Sequence, residues 1–194
     1  MNQNPSVLTR AALFFYAVLF AIALIGSKLL DQMDLWWSLT TPPWPLQVAV
    51  GVAVGMAGVW LSRIIERRFV GVRQLAADFS DLLRGLTRGQ AWALALASGI
   101  GEEALFRGML QPLVGLIPTA ILFGIIHIGP ARRYLWWTAS ALLYGVVLGL
   151  LFEWGQGLIA PIVAHVVLNG VNLYQLGTRP AIPRPWAQEE AGSS

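Results

Sequence analysis

The chain has 194 residues, of which 56% are hydrophobic and 12% charged, and its mean hydropathy is +0.62. A soluble domain carries about 25% charged residues, so this composition excludes an ordinary water-soluble globule, and its apolar content excludes a disordered chain. The formal charge of +3 does not point to nucleic acid, because the arginines sit between apolar runs, where membrane topology places them.

The first apolar run covers residues 11–26 and extends to Leu30. Ala21-Ile22-Ala23 resembles a signal-peptidase site, but the run continues past it, so it reads as a retained span. The second run is 46–61. The third is 91–115, interrupted by Glu102, Glu103 and Arg107. The fourth, 118–129, is short for a crossing that takes about 20 residues, which tilt or local thinning accommodates. The fifth and sixth are 135–154 and 157–176. This predicts an all-α, polytopic membrane helix bundle of about six transmembrane segments.

Between the second and third runs, Ile65, Phe69, Val72, Leu75, Phe79, Leu82 and Leu86 recur at helical spacing, with charged residues filling much of the rest. The pattern predicts an amphipathic helix, either interfacial or packed on the spans. With Gly177 ending the last helix and Pro180, Pro183 and Pro185 blocking continuation, a flexible tail is expected. The organisation read from the sequence is a two-span region at 1–62, a linker helix at 63–89, a core at 90–176 and a tail at 177–194.

With both termini inside, eleven arginines fall in inner segments and only Lys28 falls outside. This bias predicts cytoplasmic N- and C-termini. Trp36, Trp37, Trp44 and Trp154 fall at outer ends of the spans, and Trp60, Trp92, Trp136 and Trp137 at inner ends, as an aromatic belt requires. Twelve arginines against one lysine suggest a high-GC prokaryotic source, hence an inner membrane. Gly51/Gly55 and Gly145/Gly149 form small-xxx-small patterns suited to close helix contacts, within the bundle rather than at a dimer face.

Charge inside a bilayer costs about 2.5 to 3.5 kcal/mol even on lenient scales, so buried polar residues mark function. Six stand out: Glu102, Glu103, Arg107, His127, His165 and Asn169, and they include both histidines of the chain. Glu103 and Arg107 lie four apart on one helix face and are expected to pair. Glu102 is rotated about 100° from Glu103 and gains no partner from its own helix. His127 shares a face with Phe123, and His165 with Asn169. Glu102 and His165 both lie roughly 16 Å from the inner surface, which predicts convergence on one wet cavity open to the cytoplasm.

One water, one carboxylate and several donors suffice to hydrolyse a peptide bond. Glu102 would take the proton from water and pass it to the leaving amine, while imidazole and amide N–H groups stabilise the oxyanion. Ser98 is the nearest nucleophile candidate and the weakest. Zinc held by His127, His165 and a glutamate is the rival chemistry, but the His-Glu-x-x-His spacing is absent. The favoured reading has no cofactor.

Glu102-Glu103-Ala-Leu-Phe-Arg107, Phe123-Gly-Ile-Ile-His127 and His165-Val-Val-Leu-Asn169 resemble the three motifs Glu-Glu-x-x-x-Arg, Phe-x-x-x-His and His-x-x-x-Asn of the CPBP intramembrane proteases. That group includes CAAX prenyl endopeptidases and Abi proteins, and the resemblance covers about residues 90–176. It implies a glutamate-type endopeptidase acting on a membrane-associated peptide or protein. Glu102 is then the base, His127 helps hold the water, and His165 and Asn169 form the oxyanion site. Glu103, Arg107 and Phe123 support them. The resemblance leaves metal dependence open, and the first two spans, outside the motif region, are expected to shape substrate entry. The competing readings are a non-catalytic membrane scaffold or bacteriocin-immunity-type protein, and a transporter or proton relay, which would favour repeated halves that this sequence lacks.

Overall fold

The computed structural model describes residues 5–37 and 42–180. Residues 181–194, most of the expected tail, lie outside that range, as does Arg184. Helix α1 is Pro5–Leu29, followed by a 3-10 turn at Met33–Trp36. Helix α2 is Trp44–Arg68 and α3 is Val70–Leu82. Helix α4, Arg88–Glu103, runs directly into a π-helical segment at Ala104–Leu110 and then into α5, Gln111–Val114. Helix α6 is Leu116–Ile125. A 3-10 turn at Arg132–Tyr134 leads into α7, Leu135–Gly155, and α8 is Ile159–Thr178.

Among the described residues, four helical stretches are long and apolar enough to cross a membrane: α1, α2, α7 with its leading turn, and α8. The chain is an integral membrane helix bundle. The third predicted run is helical throughout but broken by the π segment, and the fourth forms a helix of only 10 residues. Large apolar side chains such as Phe14 (74% exposed) and Leu143 (66%) cover the outside of the bundle, the inverse of a soluble surface.

Local chemistry sets the element ends. Pro45 lies in the first turn of α2, where its missing N–H costs nothing. Thr87 caps α4 in a reciprocal box, accepting from the Gln90 N–H at 3.2 Å while its own N–H donates to Gln90 Oε1 at 2.9 Å. Gly115, at φ +86°, makes the reversal between α5 and α6.

The predicted linker helix divides at Phe69, whose extended backbone separates α2 from α3, so residues 63–68 continue the second span. Helix α3 is packed on the bundle. Leu75, Ala76, Ala77 and Ser80 are buried, the Ser80 hydroxyl donates to the Leu176 carbonyl, and Arg133 pairs with Asp78. Both glycine pairs serve internal contacts. A Cβ at Gly51 would stand 2.7 Å from the Ala160 carbonyl oxygen, and one at Gly55 equally close to that of Ala164, so α2 and α8 meet backbone to backbone. Gly145 lies against Ala120 and Phe123, and Gly149 against Leu116 and Gln111.

Trp36 departs from the aromatic-belt expectation. Counting from the end of the apolar run puts it at the interface, but the 3-10 turn folds it inward to 2% exposure. Its indole N–H reaches Ser27 Oγ at 3.1 Å and the Gly108 carbonyl at 3.2 Å, and its ring lies against Gly108, within the π segment. Trp37, Trp44, Trp60 and Trp154 are exposed on the bundle surface, consistent with interfacial positions.

Candidate active site

Helices α4 and α8 lie side by side and run in opposite directions. Ser98 faces Asn169, and one turn further along, the glutamates face His165. Glu102 is fourteen residues from the start of α4 and His165 thirteen from the end of α8, so both lie about 20 Å from the arginine-bearing end. The short α6 ends at Ile125, and His127 follows it with its ring against Phe123 and Trp137. Glu102 lies within the electrostatic reach of both imidazoles, and of Glu103 and Arg107. The three motifs therefore meet.

Glu103 is the hub. Its Oε1 accepts from Arg107 Nη1 at 3.0 Å and from His165 Nδ1 at 2.6 Å. Spacing on one helix predicts the arginine; the histidine, 62 residues away, had no local signal. Arg107 is fully buried, donates from Nη2 to the Gly145 carbonyl at 2.8 Å, and places its guanidinium 4.6 Å from the Phe123 ring centroid. A Cβ at Gly145 would stand 3.3 Å from the Phe123 ring and 3.4 Å from Ala120, so the glycine lets α7 close on α6 beside the arginine. Phe123 is central rather than peripheral, with its ring centroid 4.7 Å from that of His127 and 6.2 Å from that of His165.

These bonds fix how each imidazole is presented. His127 Nδ1 lies 2.6 Å from the Phe123 carbonyl oxygen, an acceptor only, so Nδ1 carries the hydrogen and Nε2 faces away with a lone pair when the ring is neutral. Trp137 packs edge-on against the same ring. His165 Nδ1 donates to a carboxylate already neutralised by Arg107, which likewise leaves Nε2 for other work. Asn169 donates one amide hydrogen to Ser98 Oγ at 3.0 Å, and the Ser98 hydroxyl donates to the Ala95 carbonyl. Ser98 thus holds Asn169 and is itself engaged, an arrangement unlike that of an activated nucleophile.

Glu102 itself is 6% exposed, and its Oε2 is buried without a hydrogen-bond partner. The expected open, wet cavity is correspondingly closed around the carboxylate, while His127 and Asn169 are half-exposed. An apolar cleft of about 450 Å³ between α2 and α7 is lined by Val50, Val147, Leu150, Leu151 and Trp154, and by none of these site residues. Among the described residues, no group of three or more histidine, aspartate and glutamate side chains is arranged to hold a metal ion. Tyr16 on α1 is a residue that sequence reasoning missed: its carbonyl oxygen lies 2.9 Å from where a Cβ on Gly101, the residue before Glu102, would stand. A tyrosine in an apolar run carries no signal that ties it to a glycine on another helix.

Residues 85–171 match the family described as type II CAAX prenyl endopeptidase Rce1-like. This part of the chain is similar to Rce1-like domains of the CPBP family. The matched region contains all three motifs and the hydrogen-bonded cluster they build. The chain is also 31% identical over 83 residues to the uncharacterized protein YpbD of Bacillus subtilis (strain 168), covering 43% of each chain. It is 24% identical over 168 residues to the sporulation-killing factor biosynthesis protein SkfC of the same organism, covering 78% of this chain and 33% of that protein. The matches thus span less than half the length of either relative. No solved structure matches. The Rce1-like family is associated in general with proteolysis at membranes.

Proposed function

We propose that the chain is an intramembrane endopeptidase that hydrolyses a peptide bond of a membrane-associated protein or peptide, in a prokaryotic inner membrane with both termini cytoplasmic. The observation that carries this reading is a buried carboxylate, Glu102, with one oxygen lacking a hydrogen-bond partner, beside a cluster in which both imidazoles have their Nδ1 atoms committed and pack on Phe123. Glu102 removes a proton from water as the oxygen attacks the scissile carbonyl. His127 Nε2 accepts from the same water and orients it. Because Nδ1 of His165 is held by Glu103, its Nε2 donates to the oxyanion as part of an imidazolium, which that carboxylate stabilises. The free amide hydrogen of Asn169 is the second donor. Collapse of the tetrahedral intermediate expels the amine, which receives the proton from Glu102.

His165→Ala removes one oxyanion donor and is expected to slow turnover by about 100- to 1000-fold, read as kcat on a fixed peptide. The likeness to a protein of killing-factor biosynthesis favours peptide maturation as the substrate class. In this reading no metal takes part in water activation. The test is a digest of membrane and secreted peptides by the reconstituted, chelator-treated protein, followed by mass spectrometry of new termini. New termini that persist after chelation are the expected result. Termini that appear only when zinc is restored would overturn the metal-free mechanism, and none under either condition would overturn the protease reading.

A further inference from the structure

The π segment contains a peptide carbonyl that its own helix cannot serve in the ordinary way. In a regular α-helix the Gly108 carbonyl accepts from the N–H of residue 112, and residue 112 is a proline, which has none. A buried carbonyl without a donor is costly, and here the donors come from another part of the chain. The Trp36 indole N–H donates to the Gly108 oxygen at 3.2 Å, and the Ser27 hydroxyl donates to the same oxygen at 3.3 Å. The indole nitrogen also lies 3.1 Å from Ser27 Oγ, so its hydrogen is shared between the two oxygens. Glycine at 108 admits the ring, since a Cβ there would stand 2.7 Å from Trp36 Nε1. The Trp36 main chain makes a second tie. Its carbonyl accepts from the Leu158 N–H at 2.9 Å, at the threshold of α8. The ring packs with Ala104, the first residue of the π segment, and with Phe152 and Leu158.

Both tied elements carry the site. Gly108 follows Arg107, whose guanidinium bonds Glu103 Oε1 at 3.0 Å. His165, on the helix that starts just after Leu158, bonds the same oxygen at 2.6 Å. A shift of the π segment against α8 would pull that chain of bonds apart. We infer that Trp36 is a positioning residue: it clamps the π segment to the start of α8 and so sets Arg107 and Glu103 against His165. Trp36 and Ser27 precede residue 85, where the Rce1-like match begins. The end of the first helix and the turn after it then belong to the working site, rather than only to substrate entry. The role in turnover rests on the proposed endopeptidase activity; the clamp itself does not.

The test compares wild type, Trp36→Phe, Ser27→Ala and Phe20→Leu in proteoliposomes. Trp36→Phe keeps an aromatic ring and removes the N–H. Ser27→Ala removes the second donor with almost no change in volume. Phe20, whose ring centroid lies 6.0 Å from that of Trp36 and whose side chain has no donor, controls for lost packing. Three quantities are read: kcat and KM on one peptide substrate, the melting temperature, and amide hydrogen exchange in peptides covering residues 104–111. Trp36→Phe and Phe20→Leu are both expected to melt earlier, through lost packing. Trp36→Phe is expected to lower kcat about 10-fold with KM unchanged, since a misplacement of about 1 Å costs on the order of 100-fold and the clamp is loosened rather than lost. It is also expected to speed exchange across 104–111 about fivefold. Ser27→Ala is expected to act in the same direction, about threefold in each, and Phe20→Leu to change neither. Wild-type kcat and exchange in both Trp36→Phe and Ser27→Ala would overturn the proposal. So would a kcat loss that Phe20→Leu reproduces at the same loss of melting temperature. A wild type that cleaves nothing, while Trp36→Phe and Ser27→Ala still speed exchange, would overturn the endopeptidase reading and leave the clamp standing.

Discussion

Glu102→Gln is expected to fold and insert like the wild type and to cleave roughly 100- to 10 000-fold more slowly, the range that a general base contributes. The substitution keeps the shape of a side chain that is 6% exposed and has one oxygen without a partner, so it breaks no ion pair. The amide cannot take a proton from water. KM for a peptide substrate should change little, because the carboxylate's contribution is made in the transition state. Glu103→Gln offers the contrast. That carboxylate is bonded to both Arg107 and His165, so its loss is expected to lower the melting temperature as well as activity. The two adjacent glutamates are therefore separable by experiment: one variant is stable and inactive, the other destabilised. Equal stability losses in both would contradict the assignment of Glu102 as the free base.

Arg107→Ala is expected to cost about 3 to 5 kcal/mol, a large part of the 5 to 15 kcal/mol that holds a typical folded chain. The guanidinium is fully buried between three elements: Glu103 at the end of α4, the Gly145 carbonyl on α7 and the Phe123 ring on α6. Truncation removes the cation, leaves a buried carboxylate with only His165 and a buried carbonyl without its donor, and opens a cavity. Arg107→Lys is expected to recover little, since an ammonium cannot span the same two acceptors in the plane of a fork. Removing both charges tests the cause. Glu103→Gln combined with Arg107→Met is expected to melt above Arg107→Ala, because no unpaired charge remains buried, yet to stay inactive because His165 loses its carboxylate. Thermal unfolding in detergent reads all of these.

Much of this site was legible because its residues are costly where they stand. Charge and imidazole inside apolar runs announce themselves, and spacings of four place Glu103 with Arg107, Phe123 with His127, and His165 with Asn169. Similar depth could be read from helix rise alone. What pattern could not supply were the contacts across the bundle. The bond from His165 to Glu103 depends on the antiparallel register of α4 and α8, which no local spacing encodes. Within the π segment at Ala104–Leu110 the Gly108 carbonyl accepts from Trp36 and Ser27, contacts from distant positions, while its sequence still reads as an apolar helix. Trp36 was misplaced for the related reason that the count from a span end ignores a tight turn. The seven-residue π segment also explains why the third apolar run is helical from Arg88 to Val114 without being one regular helix.

The central claim is that Glu102 drives proteolysis. It is tested most directly by comparing the termini of membrane and secreted proteins in host cells carrying wild type or Glu102→Gln at matched expression. The account predicts a set of new peptide ends present with the wild type and absent with the variant. Identical termini in the two strains, with the deletion phenotype fully rescued by Glu102→Gln, would contradict it and favour a scaffold that acts by binding.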